Sequence, residues 1–121
     1  MANPFVHVEL GTTDLDKAKS FYRTLFGWQL HDEDVGGGMK YTMIDVGEGT
    51  GGGMMQQPRP GMPSAWVPYV LVDDLAQATQ KARSLGATVL HDATEVMNAG
   101  SFAIIADPTG AVLGLWQPKA K

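Results

Sequence analysis

Thr12-Thr13-Asp14-Leu15-Asp16-Lys17-Ala18 opens one amphipathic run, and Val72-Asp73-Asp74-Leu75-Ala76-Gln77-Ala78 opens another sixty residues later. Working outward from these stretches, Arg23 recurs as Arg83, Leu25 as Leu85, and Leu30-His31-Asp32 as Leu90-His91-Asp92. Ile44 recurs as Ile104 and Gln57-Pro58 as Gln117-Pro118, all at the same spacing of sixty. A fixed period with this many matches predicts two copies of one supersecondary unit. Two copies are too few for a solenoid, so pseudo-symmetric halves are expected, in constant register throughout. Positions where the copies differ mark different chemical demands.

Each copy reads as βαβββ. Phe5 to Leu10 alternates and is rich in valine, which suits a strand. Thr13 can cap a following helix, with Asp14 and Asp16 favourable in its first turn. Leu15, Ala18, Phe21-Tyr22 and Leu25-Phe26 fall at helical spacing and give one apolar face, which Gly27 ends. Strands follow over Trp28 to Asp32, Met39 to Val46 and Gly51 to Gln57. The second copy gives a strand over Trp66 to Val72 and a cap at Asp73 or Asp74. Its helix carries Leu75, Ala78, Ala82 and Leu85 and ends at Gly86. Strands over Ala87 to His91, Ser101 to Ala106 and Ala111 to Trp116 complete it. Pro58-Arg59-Pro60-Gly61-Met62-Pro63 reads as a stiff extended connection. The expected organisation is a single domain over 1–121, with modules at 1–58 and 64–121 joined by a linker at 59–63.

The fold class is therefore α+β: two small mixed sheets, each with a helix on one face, forming a curved-sheet cup of a size suited to a small ligand. With 121 residues the chain suffices for one core. Its net charge of −4 argues against non-specific nucleic-acid binding. The absence of cysteine excludes disulfides, thiolate metal sites and thiol nucleophiles. No apolar run is long enough to span a bilayer, and Met1-Ala2-Asn3-Pro4-Phe5 lacks the features of a secretion signal, so no membrane partner and a cytoplasmic location are expected. Gly36-Gly37-Gly38 and Gly51-Gly52-Gly53 lack the lysine and following helix of a phosphate loop, and read as a turn and as an open strand with room beside it.

Thr12 to Tyr22, Leu25-Phe26-Gly27-Trp28, Val72-Asp73-Asp74-Leu75 and Asp107-Pro108-Thr109-Gly110 together resemble the vicinal oxygen chelate superfamily. That superfamily includes glyoxalase I, extradiol dioxygenases and the bleomycin- and fosfomycin-resistance proteins, and the resemblance covers nearly the whole chain. It implies the paired-module fold and a homodimer, for which exposed sheet edges offer a physical route. It does not imply one reaction, because this fold hosts enzymes and non-catalytic binders alike.

In metal-dependent members, the first strand's ligand precedes the helix-start aspartate by seven residues, which lands on His7 and Val67. The last strand's ligand follows the Asp-Pro aspartate by seven, which lands on Gly114, with Met54 its mate at a spacing of sixty. His7, Met54, Val67 and Gly114 offer one nitrogen donor where three or four N/O donors are needed, and a shifted pair of His7 with Glu9 offers only two. No metal and no cofactor are expected, and the enediolate chemistry of glyoxalase I, which needs a metal, is disfavoured.

The remaining candidates are ligand contacts. Glu9 shares the strand face of His7 and could orient its imidazole, so the two are candidate acid–base residues. Tyr69 shares the face of Val67, and Trp116 that of Gly114, where the glycine is expected to leave open space. Met54 and Gln56 are the matching first-copy positions. His7, Glu9, Met54, Gln56, Tyr69 and Trp116 are therefore the candidate ligand-binding set. His31 and His91 each precede an aspartate, but neighbours on a strand point to opposite faces, so both are expected as solvated residues on outer strands. Three functions follow: a metal-independent binder of a small organic molecule; a lyase, isomerase or hydroxylase-like enzyme using His7 and Glu9, with any metal held atypically; or an interaction protein with a vestigial cup. Measured turnover separates the first two.

Overall fold

In the computed structural model of the chain, the described residues are 2–34, 40–57, 61–96 and 99–119. The α+β class and the twice-repeated βαβββ order are both present. The first module comprises β1 (Phe5–Thr12), α1 (Leu15–Phe26), β2 (Gln29–Asp34), β3 (Lys40–Asp45) and β4 (Gly52–Gln56). The second comprises β5 (Ala65–Leu71), α2 (Leu75–Ser84), β6 (Thr88–Val96), β7 (Gly100–Ala106) and β8 (Val112–Pro118). Gly36, Gly37, Gly38, Met39, Pro58, Arg59, Pro60 and Met97 lie outside the described residues, and with them the first glycine turn and part of the linker. No helix among the described residues is long and apolar enough to cross a membrane.

The chain divides into two compact units, one spanning His7–Val67 and the other combining the residues before His7 with those from Pro68 onward. Asn3 and Pro4 thus belong with Leu71, whose carbonyl accepts from Asn3 Nδ2 at 2.8 Å and whose amide donates to Pro4 O at 2.9 Å. In the other unit, Ser64 Oγ accepts from Thr13 N at 3.0 Å, and Trp66 Nε1 donates to the Tyr22 hydroxyl at 3.3 Å.

Within the first module the strand order is β2-β3-β4-β1, antiparallel except for the parallel β4–β1 pair. Leu10, Ile44 and Met54 form the core under α1, joined by Leu15, Ala18, Tyr22 and Trp28. The helix starts at Asp14, not Thr13: Asp14 is the residue with extended backbone, and its carboxylate accepts from Lys17 N at 3.0 Å. It stops at Gly27, whose φ of 73° is costly for a side-chain-bearing residue. The second module repeats the plan as β5-β8-β7-β6, with Val72, Leu75, Ala103, Ile105 and Leu115 under α2 and Asp74 as the cap.

The constant register does not hold. Glu9 pairs with Gly53 and Tyr69 pairs with Gly114, so β1 and β5 are sixty apart while β4 and β8 are sixty-one apart. Two register shifts of β6 against β7 change the spacing, so Met43, not Ile44, is the equivalent of Ile104. Side chains alternate along a strand, so a slip of one residue moves every later residue of the module to the other face.

Candidate functional site

The first module's sheet has a face opposite α1, and alternation assigns it His7 and Glu9 on β1, Gly53 and Met55 on β4, Tyr41 and Met43 on β3, and His31 on β2. Gly53 lies between the β1 and β3 residues in the ladder. A side chain on Gly53 would run into the Tyr41 ring. With only hydrogen there, the ring lies across β4 and reaches β1. The Tyr41 hydroxyl sits 2.7 Å from His7 Nε2 and donates to Glu9 Oε1 at 2.9 Å. The His7 and Tyr41 rings are near-parallel, with centroids 6.1 Å apart.

One hydroxyl carries one proton. Since that proton goes to Glu9, the His7 contact is satisfied when Nε2–H donates to the Tyr41 oxygen, which leaves Nδ1 as the basic nitrogen of a neutral ring. Partial burial lowers the His7 pKa below its ordinary 6.5, which keeps the ring neutral at pH 7. The arrangement is a hydrogen-bonded chain running imidazole, phenol, carboxylate. Glu9 therefore orients His7 through Tyr41, a residue the sequence reading passed over. The signal for it was the glycine-rich β4, read as leaving room beside it; Tyr41 fills that room.

Met54 and Gln56 lie elsewhere. The one-residue slip makes Gly53 the structural counterpart of Gly114 and turns Met54 to the helix side, where it is 0% exposed between Leu10 and Ile44. Gln56 secures the start of α1: its Oε1 accepts from Leu15 N at 3.0 Å and its Nε2 donates to Thr13 O at 2.7 Å. Gln117 does the same for α2, accepting from Leu75 N at 2.7 Å. Both glutamines satisfy helix N-terminal groups that would otherwise lack partners.

In the second module, Tyr69 and Trp116 do share the face opposite α2, with Phe102 and His91. The space over Gly114 is not open, because the Tyr69 ring occupies it and is 4% exposed. Phe102 packs edge-on to Tyr69 at 6.3 Å and stacks on His91 at 5.1 Å. Half-buried Trp116 pairs with Phe102 across the β7–β8 ladder. Where the first module carries Glu9 and Tyr41, the second carries Tyr69 and Phe102, and its face is apolar and aromatic.

His31 and His91 are exposed on the outer strands of their modules. Neither is oriented by its neighbouring aspartate. Asp32 accepts from Thr42 Oγ1 at 2.6 Å and from Lys19 Nζ at 2.9 Å on the helix side, and these two contacts hold its pKa below 3.8. Asp92 pairs with Arg83 at 3.2 Å. A shallow groove of about 290 Å³ runs past His31, Met43, Asp45 and Glu48. It is lined by Met43, two residues along β3 from Tyr41, together with Ile44 and the loop from Val46 to Gly51.

With the slip corrected, Gly53 takes the place of Met54 among the expected ligand positions, and it offers no donor beside His7 either. Among the described residues no cluster of three or more His, Asp or Glu side chains is placed to hold a metal. The donors present do not fit such an ion.

A family model described as Glyoxalase/Bleomycin resistance protein/Dioxygenase superfamily matches residues 5–115. The chain is 41% identical over 114 residues to "Putative glyoxylase CFP32" of Mycobacterium tuberculosis, covering 91% of this chain and 44% of that protein. It is 29% identical over 123 residues to the anthracycline biosynthesis protein DnrV of Streptomyces peucetius, covering 90% of this chain and 45% of that protein. The chain thus spans under half the length of either relative. Among solved structures, methylmalonyl-CoA epimerase from Mycobacterium tuberculosis superposes with a TM-score of 0.70 at 20% identity, over 96% of this chain and 88% of that one. At that identity the likeness concerns the fold.

Proposed function

The chain belongs to the Glyoxalase/Bleomycin resistance protein/Dioxygenase superfamily, and from that premise we propose that it binds a small organic molecule on the sheet face of its first module opposite α1, without a metal ion. The observation that carries this reading is the bridge from His7 Nε2 through the Tyr41 hydroxyl to Glu9 Oε1. Three polar side chains on two strands, held together over a glycine, make a rigid anchor for a hydrogen-bonding group of the ligand. The neighbouring groove with Met43 provides an adaptable apolar wall. An anthracycline biosynthesis protein and a methylmalonyl-CoA epimerase, both named for organic molecules, stand among the similar proteins.

A panel of organic acids, CoA esters and polycyclic aromatics, screened by thermal shift and followed by calorimetry, tests this directly. Hits should weaken about tenfold or more in Tyr41→Phe and His7→Gln, in line with a lost hydrogen bond to a charged or desolvated group. Affinity unchanged in both variants would sink the assignment.

The same chain of hydrogen bonds favours a second reading, an isomerase- or lyase-type enzyme. A neutral His7 can take a proton from a carbon acid, while Tyr41 and Glu9 stabilise the imidazolium that forms. Deuterium entering a bound ligand from D₂O, and lost in His7→Gln, would establish it; ligand that stays unlabelled over many hours would leave binding as the function.

A further inference from the structure

The protons of the His7–Tyr41–Glu9 chain fix what a ligand has to bring to it. The Tyr41 hydroxyl donates to Glu9 Oε1 at 2.9 Å, and its oxygen accepts from His7 Nε2 at 2.7 Å. Both protons are used inside the chain. A carboxylate and the basic nitrogen of a neutral imidazole then present acceptor capacity only. A ligand group that meets them has to donate.

The charges of the first module are sorted in the same sense. By alternation, Glu33 on β2 and Asp45 on β3 share the face of Glu9 and Tyr41, with Glu33 opposite Tyr41 in the β2–β3 ladder. Asp45 and Met43 also line the neighbouring groove, with Glu48 on its loop. The cations go elsewhere. Lys17, Lys19 and Arg23 belong to α1, and Lys19 meets Asp32 at 2.9 Å on the helix side. Lys40, two residues from Thr42 on β3, alternates to that side too. Among the described residues of the first module, no lysine or arginine is assigned to the face of Glu9. The fold does not impose this pattern. On the second module Tyr69 stands in the place of Glu9 and Phe102 in that of Tyr41, so the same strands form without a carboxylate there.

On the premise that His7, Tyr41 and Glu9 anchor a ligand, we propose that this ligand is an organic cation, a protonated amine carried on an apolar or aromatic frame. Its ammonium group donates to the acceptors of the chain, in a bond that ionisation makes roughly twice as strong as a neutral one. Met43 offers the frame a thioether that adapts to irregular apolar shapes, and the Tyr41 ring adds its own attraction for a cation. A carboxylate or phosphate in the same place meets acceptors and a like charge, with no lysine or arginine of this face to offset them. The face therefore admits amines and rejects organic acids and CoA esters.

Tryptamine and indoleacetate, one ring system with opposite charges, test this selection, with acetyl-CoA as a polyanion. Calorimetry and the NMR signals of the His7 ring, at pH 7.5 and low salt, should show tryptamine bound about tenfold or more tightly than either anion. The preference should collapse in Glu9→Gln, fall several-fold in Asp45→Asn, which leaves the anchor untouched, and shrink in about 0.5 M salt. Glu95→Gln, on β6 of the second module, should leave it intact. An anion bound as tightly as tryptamine, and lost in Tyr41→Phe, would overturn the proposal and leave the anchor standing. Tryptamine bound equally by wild type, Tyr41→Phe and His7→Gln would remove the anchor itself, and the proposal with it. No binding of any probe at millimolar concentration would overturn the proposal as well.

Discussion

Tyr41 makes two hydrogen bonds with one proton, so its hydroxyl defines the tautomer of His7 as well as the placement of Glu9. Tyr41→Phe keeps the ring over Gly53 and removes only the oxygen. Its expected cost is about 1–3 kcal/mol, the penalty for taking a partner from desolvated polar groups, read as a lower urea midpoint with an unchanged m-value. Gly53→Ala should cost at least as much, because the added methyl displaces the whole ring. His7 adds a pH dependence whose sign follows from its lowered pKa. Well above pH 6.5 the ring is neutral in both folded and unfolded chains and contributes no pH dependence. Below 6.5 the unfolded chain takes up the proton before the folded one does, so stability falls with pH until the folded-state pKa is passed. Urea midpoints between pH 7.5 and 5 should therefore slope downward in the wild type and flatten in His7→Gln; equal slopes would mean that His7 is not held neutral by the fold.

At the level of elements, each helix depends on a residue of the module's last strand. Gln56 reaches Leu15 N from β4 and Gln117 reaches Leu75 N from β8. Because both act on helix N-termini, Gln56→Ala and Gln117→Ala are each expected to lower stability by about 1 kcal/mol in denaturant unfolding, without altering ligand binding. A loss of affinity in Gln56→Ala with stability unchanged would return Gln56 to the ligand site. The matched pair also exposes what repeat-counting missed. Gln57 and Gln117 align in sequence at sixty, yet Gln56 and Gln117 align in space at sixty-one, because β6 shifts twice against β7. Composition and periodicity carry no record of such bulges, which arise from how two strands pair.

For the molecule as a whole, the donor set predicts indifference to metals. Dialysis against a chelator should leave the melting temperature unchanged, and adding manganese, ferrous iron, nickel or zinc should not raise it. An ion bound at a hundred times its Kd would add about 2.7 kcal/mol and raise the midpoint on the order of 10 °C, so the two results are easily told apart. The sequence by itself determined the βαβββ order, both helices, their glycine stops, the solvated His31 and His91, and the pairing of His7 with Glu9 on one strand face. All of these are local properties, read from periodicity and from spacing along one strand. Only the tertiary structure decided that Tyr41 joins them, because that depends on β3, β4 and β1 lying side by side with Gly53 between. It also decided that Met54 faces the core and that Tyr69 closes the space over Gly114, since strand register and ring placement are set by neighbours distant in the chain.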